Sequence, residues 1–276
     1  MLKLTLSLLL LVVAAAPALG ATATGMFQSQ NISLEVNSGV AFRAKSAQDK
    51  SDVLIVAVSN VVLNPRAIAD YIDRRRLIEA RIRNPEAVII YLEFTPAGTY
   101  RGMSYTLAFD NECAFCATGL ASTVKLTDGA LRGKLSGEEP AKERAVAITL
   151  DVPVLTEDHG AALPADGGAP GKAYLAYHAA MVKGDRAAIR EQLAKDQQAY
   201  WDQVEKSGQL AAWVREMTLQ HPVKSVQISR GFAGADKAVL AIAGESIGGR
   251  VVGDVVLVRE GDAWRVDDEV TEIVRR

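Results

Sequence analysis

Tyr177-His178-Ala179-Ala180-Met181-Val182-Lys183-Gly184-Asp185 and Asp262-Ala263-Trp264-Arg265-Val266 lie near the two ends of Lys172–Asp268, the part of the chain with the clearest order of elements. Its first half is patterned as helix. Tyr174, Tyr177, Ala180 and Met181 recur at helical spacing up to Lys183-Gly184, and Asp185 is placed to cap a short helix over Arg186–Leu193. From Asp196 a longer helical stretch sets Tyr200, Val204, Ala211, Val214 and Thr218 on one face, with Gly208 as a break. His221-Pro222 ends the helical half. Strands are predicted at Val223–Arg230, Lys237–Ser246, Arg250–Val258 and Trp264–Val270, joined at Gly234-Ala235-Asp236, Gly248-Gly249 and Glu260-Gly261-Asp262. Helices followed by a meander of strands predict an α+β unit whose helices cover one face of an antiparallel sheet.

The two quoted segments and the Gly248-Gly249 hairpin resemble the NTF2-like (SnoaL-like) family, in particular its small bacterial envelope members, over about residues 172–270. The resemblance implies a cone of three helices packed on a curved antiparallel sheet, with a pocket between them. Tyr177, His178, Tyr200, Trp201, Trp213 and Trp264 are the candidate pocket residues, the alternative being that these aromatics fill the core. It also implies a homodimer through the outer face of the sheet. Isomerases of this fold need a carboxylate base and a neutral acid converging in the pocket. Glu245, Asp254 and His178 are the residues for that role, and an exposed strand face is the plainer account of both acids.

Upstream, Thr156–Lys172 is rich in Gly, Pro and Ala and reads as a flexible linker. The stretch 26–155 before it reads as an antiparallel β-rich domain with one helix. Ile32 to Phe42 alternates, whereas Asp52–Val58 is almost continuously apolar, as in a strand covered on both faces. Asn64-Pro65 starts a helix predicted to run to about Arg83, placing Ile68, Tyr71, Ile72, Ile78 and Ile82 on one face. Residues 66–83 hold six arginines against three acids, which reads as a solvated face. Arg75 falls among the apolar positions, and Glu79 one turn on predicts a rim ion pair with a snorkelling stem. Asp128-Gly129 predicts a tight hairpin. Leu131–Gly137 and Ile148–Pro153 resemble a β-rich domain of uncharacterised bacterial envelope proteins, a likeness that implies no activity.

Lys3, the uncharged apolar run Leu4–Ala16 and the small residues after it have the layout of a secretory signal peptide over 1–23, with cleavage after Ala18, Gly20 or Ala23. No cysteine lies nearby to accept a lipid. Removing the leader takes away one lysine and moves the formal charge from −2 to −3. So even a balance gives no global field for nucleic acid, and no later apolar run reaches membrane-spanning length. A periplasmic or secreted protein is expected.

The chain's two cysteines, Cys113 and Cys116, stand in a C-x-x-C spacing. A thioredoxin-like thiol needs a helix N-terminus, but Ala117-Thr118-Gly119-Leu120 heads for another strand. A structural zinc needs four ligands, and His159, His178 and His221 sit in separate segments. The i, i+3 spacing of a β-turn lies within bridging distance, so a local disulfide pinning a hairpin tip, worth about 2 kcal/mol or less, is the expectation. The functional expectation is a non-catalytic module, without cofactor or metal, binding a small apolar ligand or an envelope protein partner. The alternatives are an isomerase or hydrolase using the pocket, and a thiol oxidoreductase.

Overall fold

Alternating and continuous apolar runs become strands throughout the first half of the chain. The computed structural model describes residues 22–29, 32–81, 87–107, 119–139, 144–156 and 158–274. In chain order come β1 (Thr22–Ser29), β2 (Ile32–Val36), β3 (Ser38–Lys45), β4 (Asp52–Ser59), α1 (Pro65–Ala69) and α2 (Arg74–Arg81). Strands β5 (Val88–Phe94), β6 (Tyr100–Leu107), β7 (Ala121–Ser122), β8 (Lys125–Thr127), β9 (Ala130–Glu139) and β10 (Arg144–Pro153) follow. They form two antiparallel sheets, β2-β1-β10-β9-β7 with β8 also on β9, and β3-β4-β5-β6. Phe27, Leu34, Ile148 and Leu135 of the first meet Leu54, Val56, Ile90 and Leu92 of the second in a sandwich core. Strand β4 lies inside its sheet, and every residue after Asp52 is buried. Asp128 and Gly129 both take positive φ (50° and 72°), the two-residue turn that matches strand twist.

The second half holds β11 (Ala161–Ala162), α3 (Gly168–Lys183), α4 (Arg186–Gln192), α5 (Lys195–Lys206) and α6 (Leu210–Gln220). The strands β12 (Ser225–Ala233), β13 (Lys237–Ser246), β14 (Gly249–Glu260) and β15 (Ala263–Ile273) close it. They make one antiparallel sheet in the order β11-β12-β13-β14-β15. Gly184, at φ 67°, ends α3, and the Asp185 side chain accepts from the Ala188 amide to start α4. Tyr174, Tyr177, Ile189 and Trp201 pack from the helices onto Leu240, Ile242, Val255, Leu257 and Val266. Four helices, rather than the three that the resemblance implies, cover this face, with breaks at Gly184 and Gly208 where the sequence reading places them. No helix among the described residues is long and apolar enough to cross a membrane.

The opposite face of this sheet is where the two halves meet. Val239, Val256 and Val270 share one core with Phe42, Ile55, Ile68, Ile78 and Tyr91 of the first half. Each aliphatic side chain fully buried there contributes roughly 1.5–3 kcal/mol. The chain therefore stacks as sheet, sheet, the α1–α2 pair, sheet and helices. A homodimer through the outer sheet face, which the resemblance implies, meets a surface that α1 and α2 of the same chain already occupy.

Two further expectations change. The helix expected over 64–83 is broken between Ala69 and Arg74, so that Tyr71 and Asp73 turn toward the second half. The segment expected as a free linker is laid along the sheet edge instead: Ala161 and Ala162 pair with β12, the Leu163 amide donates to Gly231, and α3 already begins at Gly168. Its glycines serve close approach rather than freedom. A Cβ on Gly160 would sit 2.2 Å from the Ala233 carbonyl oxygen, and one on Gly171 2.0 Å from that of Asp166. At the other end of the chain, Ala23 is a fully buried residue of β1. Of the three expected cleavage positions, only Ala18 and Gly20 leave that strand whole. Residues 1–21, Ile82 and the expected Cys113–Cys116 disulfide lie outside the described residues.

Candidate functional site

The helix-covered face of the second sheet carries one polar chain through an otherwise apolar core. Glu269 of β15 points into it beside Val255. Its Oε1 lies 3.0 Å from Nδ1 of His221, the residue that caps the C-terminus of α6. Nε2 of His221 lies 3.0 Å from Nδ1 of His178 on α3. The Tyr174 hydroxyl donates to the same Glu269 oxygen at 3.3 Å, and the Tyr177 ring stands edge-on to His221 at 5.9 Å. His221, Tyr174 and Tyr177 are buried, while His178 is half-buried. Sequence alone leaves these residues scattered over more than ninety positions. Folding α3 over β15 brings them together.

The electrostatics follow from that placement. Burial, and then the neighbouring His221, hold His178 below its ordinary 6.5, while the Glu269 charge pulls the other way. Burial and the Glu269 charge push Tyr174 and Tyr177 well above 10, so both remain hydrogen-bond donors at neutral pH. A carboxylate, two imidazoles and a phenol in line can orient one another and hold or pass a proton. On α3, Leu175 and Val182 stand one turn before and one turn after His178, and both are exposed (40 % and 49 %). The half-buried imidazole thus sits within an apolar surface stripe.

The other candidate residues fall elsewhere. Tyr200, Trp201 and Trp213 form their own group: Trp213 meets Tyr200 edge-on at 5.8 Å and Trp201 at 5.6 Å. Trp201 is fully buried and Tyr200 exposed, so this group is packing with a wet rim. Trp264 packs at the edge of the helix-side core. Of the six candidate pocket residues, only Tyr177 and His178 are brought into the polar chain.

Neither strand acid considered as a base reaches it. Glu245 is exposed on β13. Asp254 is buried on the opposite face of the sheet, where its Oδ2 accepts from the Asp73 amide at 2.6 Å. It therefore holds the residue that starts α2 from across the interface, while Asp73 itself caps the helix by accepting from the Arg76 amide at 3.0 Å. Burial raises Asp254 above the ordinary carboxylate value of 3.8, against the lowering effect of the amides and of Arg76, which lies 4.0 Å from Oδ1. Around it, Arg76 pairs with Asp73 and Glu272, Lys237 with Asp70, and the Tyr71 hydroxyl donates to Asp268. Buried Arg74 donates to the carbonyls of Leu155 and Thr156. This is a seam that fastens the two halves. Nearby, Arg75 pairs with Glu79 at 2.8 Å and lies over the Tyr91 ring at 4.4 Å, the snorkelling arrangement its position predicts.

Glu269 is invisible to periodicity for a definite reason. Counting by twos from Val266 puts Asp268 and Val270 inward and Glu269 outward. The register shifts by one between Val256 and Leu257, so Val266 opposes Leu257 while Asp268 opposes Val256. That bulge returns Glu269 to the helix side. Tyr177 and His178, adjacent on one helix, are the members of this group that the sequence names.

Among the described residues no group of three or more His, Cys, Asp or Glu is placed to hold a metal ion. No protein-family model matches the chain, and a search of curated proteins found no match.

Proposed function

We propose that this chain is an exported, non-catalytic binding module whose helix-covered C-terminal half takes a small, largely apolar ligand at His178. The leader-like residues Lys3 and Leu4–Ala16 support export, and the helices-then-meander order supports an NTF2-like arrangement for residues 168–273. The observation that carries the reading is the buried Glu269–His221–His178 chain ending on a half-buried imidazole between exposed Leu175 and Val182. Such a stripe offers exposed apolar area beside one polar side chain held in place by buried partners. Native mass spectrometry of protein purified from its own cell envelope tests it. A bound small molecule is expected on the wild type and lost from His178→Phe; retention by that variant overturns the assignment to this face.

A second reading, an acid–base enzyme, draws on the same chain of groups, because an imidazole backed by a carboxylate can act as a general base. It lacks the converging acid: Glu245 and Asp254 lie away from His178, and Tyr174 is buried against Glu269. Binding without turnover is therefore the better-supported function.

A further inference from the structure

Resting on that binding site, we infer that the ligand carries an uncharged hydrogen-bond donor, a hydroxyl or amide N–H, at the end of an apolar body, because the polar chain leaves the outer nitrogen of His178 as a bare acceptor.

Counting protons along the chain gives each contact its direction. A carboxylate oxygen of Glu269 accepts, so Nδ1 of His221 carries the proton in their 3.0 Å contact. An imidazole whose single proton is on Nδ1 accepts at Nε2, which assigns the 3.0 Å contact between His221 and His178 to the Nδ1 proton of His178. An uncharged His178 then has no proton left for Nε2. Tyr174 reinforces the direction by donating to Glu269 from the other side. The groups facing His178 are His221 from the α6–β12 junction and Glu269 from β15, with Tyr174 on its own helix; burial opposes a second proton. Leu175 and Val182 supply the apolar contact on either side. A ligand offering only an acceptor there, such as an ether or a carboxylate, sets lone pair against lone pair.

The complement is therefore an alcohol or amide amphiphile. A carboxylate amphiphile or a charged headgroup does not fit.

The test uses the full mature chain and two probes of one apolar length, decanol and decyl methyl ether, followed by ligand-observed NMR at pH 7.5. The tautomer of His178 is read in the same sample by imidazole nitrogen NMR. Decanol is expected to bind about tenfold more tightly than the ether. His178→Phe is expected to equalise the two probes, and the free protein to show an unprotonated Nε2. Equal binding of both probes to the wild type, or a proton on Nε2, overturns this inference while leaving an apolar site in place. Failure of both probes to bind, together with self-association that His178→Phe abolishes, overturns the binding site itself and assigns the stripe to a second copy.

Discussion

Asp268 and Glu269 are neighbours in sequence on one strand, yet they face opposite sides of the C-terminal sheet and live in different chemistry. On the α1–α2 side, Asp268 takes the Tyr71 hydroxyl, Asp254 the Asp73 amide, and Glu272 the Arg76 guanidinium. Those donors do not titrate at neutral pH, so the seam holds fixed charges in fixed places. On the α3–α6 side, Glu269 faces His221 and through it His178, and imidazole is the side-chain class able to exchange a proton near neutral pH. One face fastens the molecule and the other can respond. A carboxylate's role here is set by the partner across the interface, and residue type or exposure would not have told the two apart.

The sharpest way to break the fastening face is Asp254→Ala. It leaves the Asp73 amide without its buried acceptor while Arg76 keeps Asp73 and Glu272, and a loss of roughly 1–3 kcal/mol in urea unfolding is expected. Asp254→Asn keeps an oxygen for the amide and isolates the charge. Because burial holds the folded-state Asp254 above its ordinary 3.8, the charged form is the disfavoured one in the folded protein. Stability from this group therefore grows as pH falls through the raised value toward 3.8 and is lost as pH rises. The stability difference between wild type and Asp254→Asn is expected to shift in favour of wild type on acidification over that range.

The responsive face is tested next by His221→Phe, which keeps the ring volume and removes both imidazole contacts. About 1–3 kcal/mol is expected to be lost by the same unfolding measurement, since Glu269 keeps only the Tyr174 hydroxyl of its two buried partners. His178 is also expected to titrate nearer its ordinary 6.5 by proton NMR, with the burial contribution left behind. Its sign is opposite to that of Asp254. A histidine held below 6.5 contributes stability that is complete above 6.5 and declines as pH falls through 6.5 to the folded value. Acid thus weakens one face of the sheet while relieving the other.

Lys237→Ala gives the smallest effect. Its pair with Asp70 sits at the wet rim of the seam, and roughly 0.5 kcal/mol or less is expected in thermal unfolding. A larger loss would show that the seam acts as a network extending to its edge.

Much of the scaffold was legible from residues alone. The strand bounds of β13, the Asp185 cap, the glycine stop at Gly184, the Asp128-Gly129 turn and the Arg75–Glu79 pair all follow from local rules. These features are settled within a few residues by backbone sterics and side-chain spacing, so periodicity and capping chemistry reach them. The glycine-rich segment before α3 misleads by the same logic: composition predicts freedom, whereas contact with Ala233 and Ile228 makes small residues a requirement of packing.

What tertiary structure alone decided is which polar groups meet. The sequence by itself determined an α+β chain with a β-rich first half, a helical middle and a closing meander, because burial of apolar periods dictates those elements wherever they later pack. It could not place Glu269 against His221, nor Asp254 under α2. Those contacts depend on a one-residue bulge in β15 and on the docking of α1–α2 against the sheet, both set by long-range packing. The site is therefore a property of the fold's register: moving that bulge would leave every element standing and exchange the roles of two adjacent carboxylates.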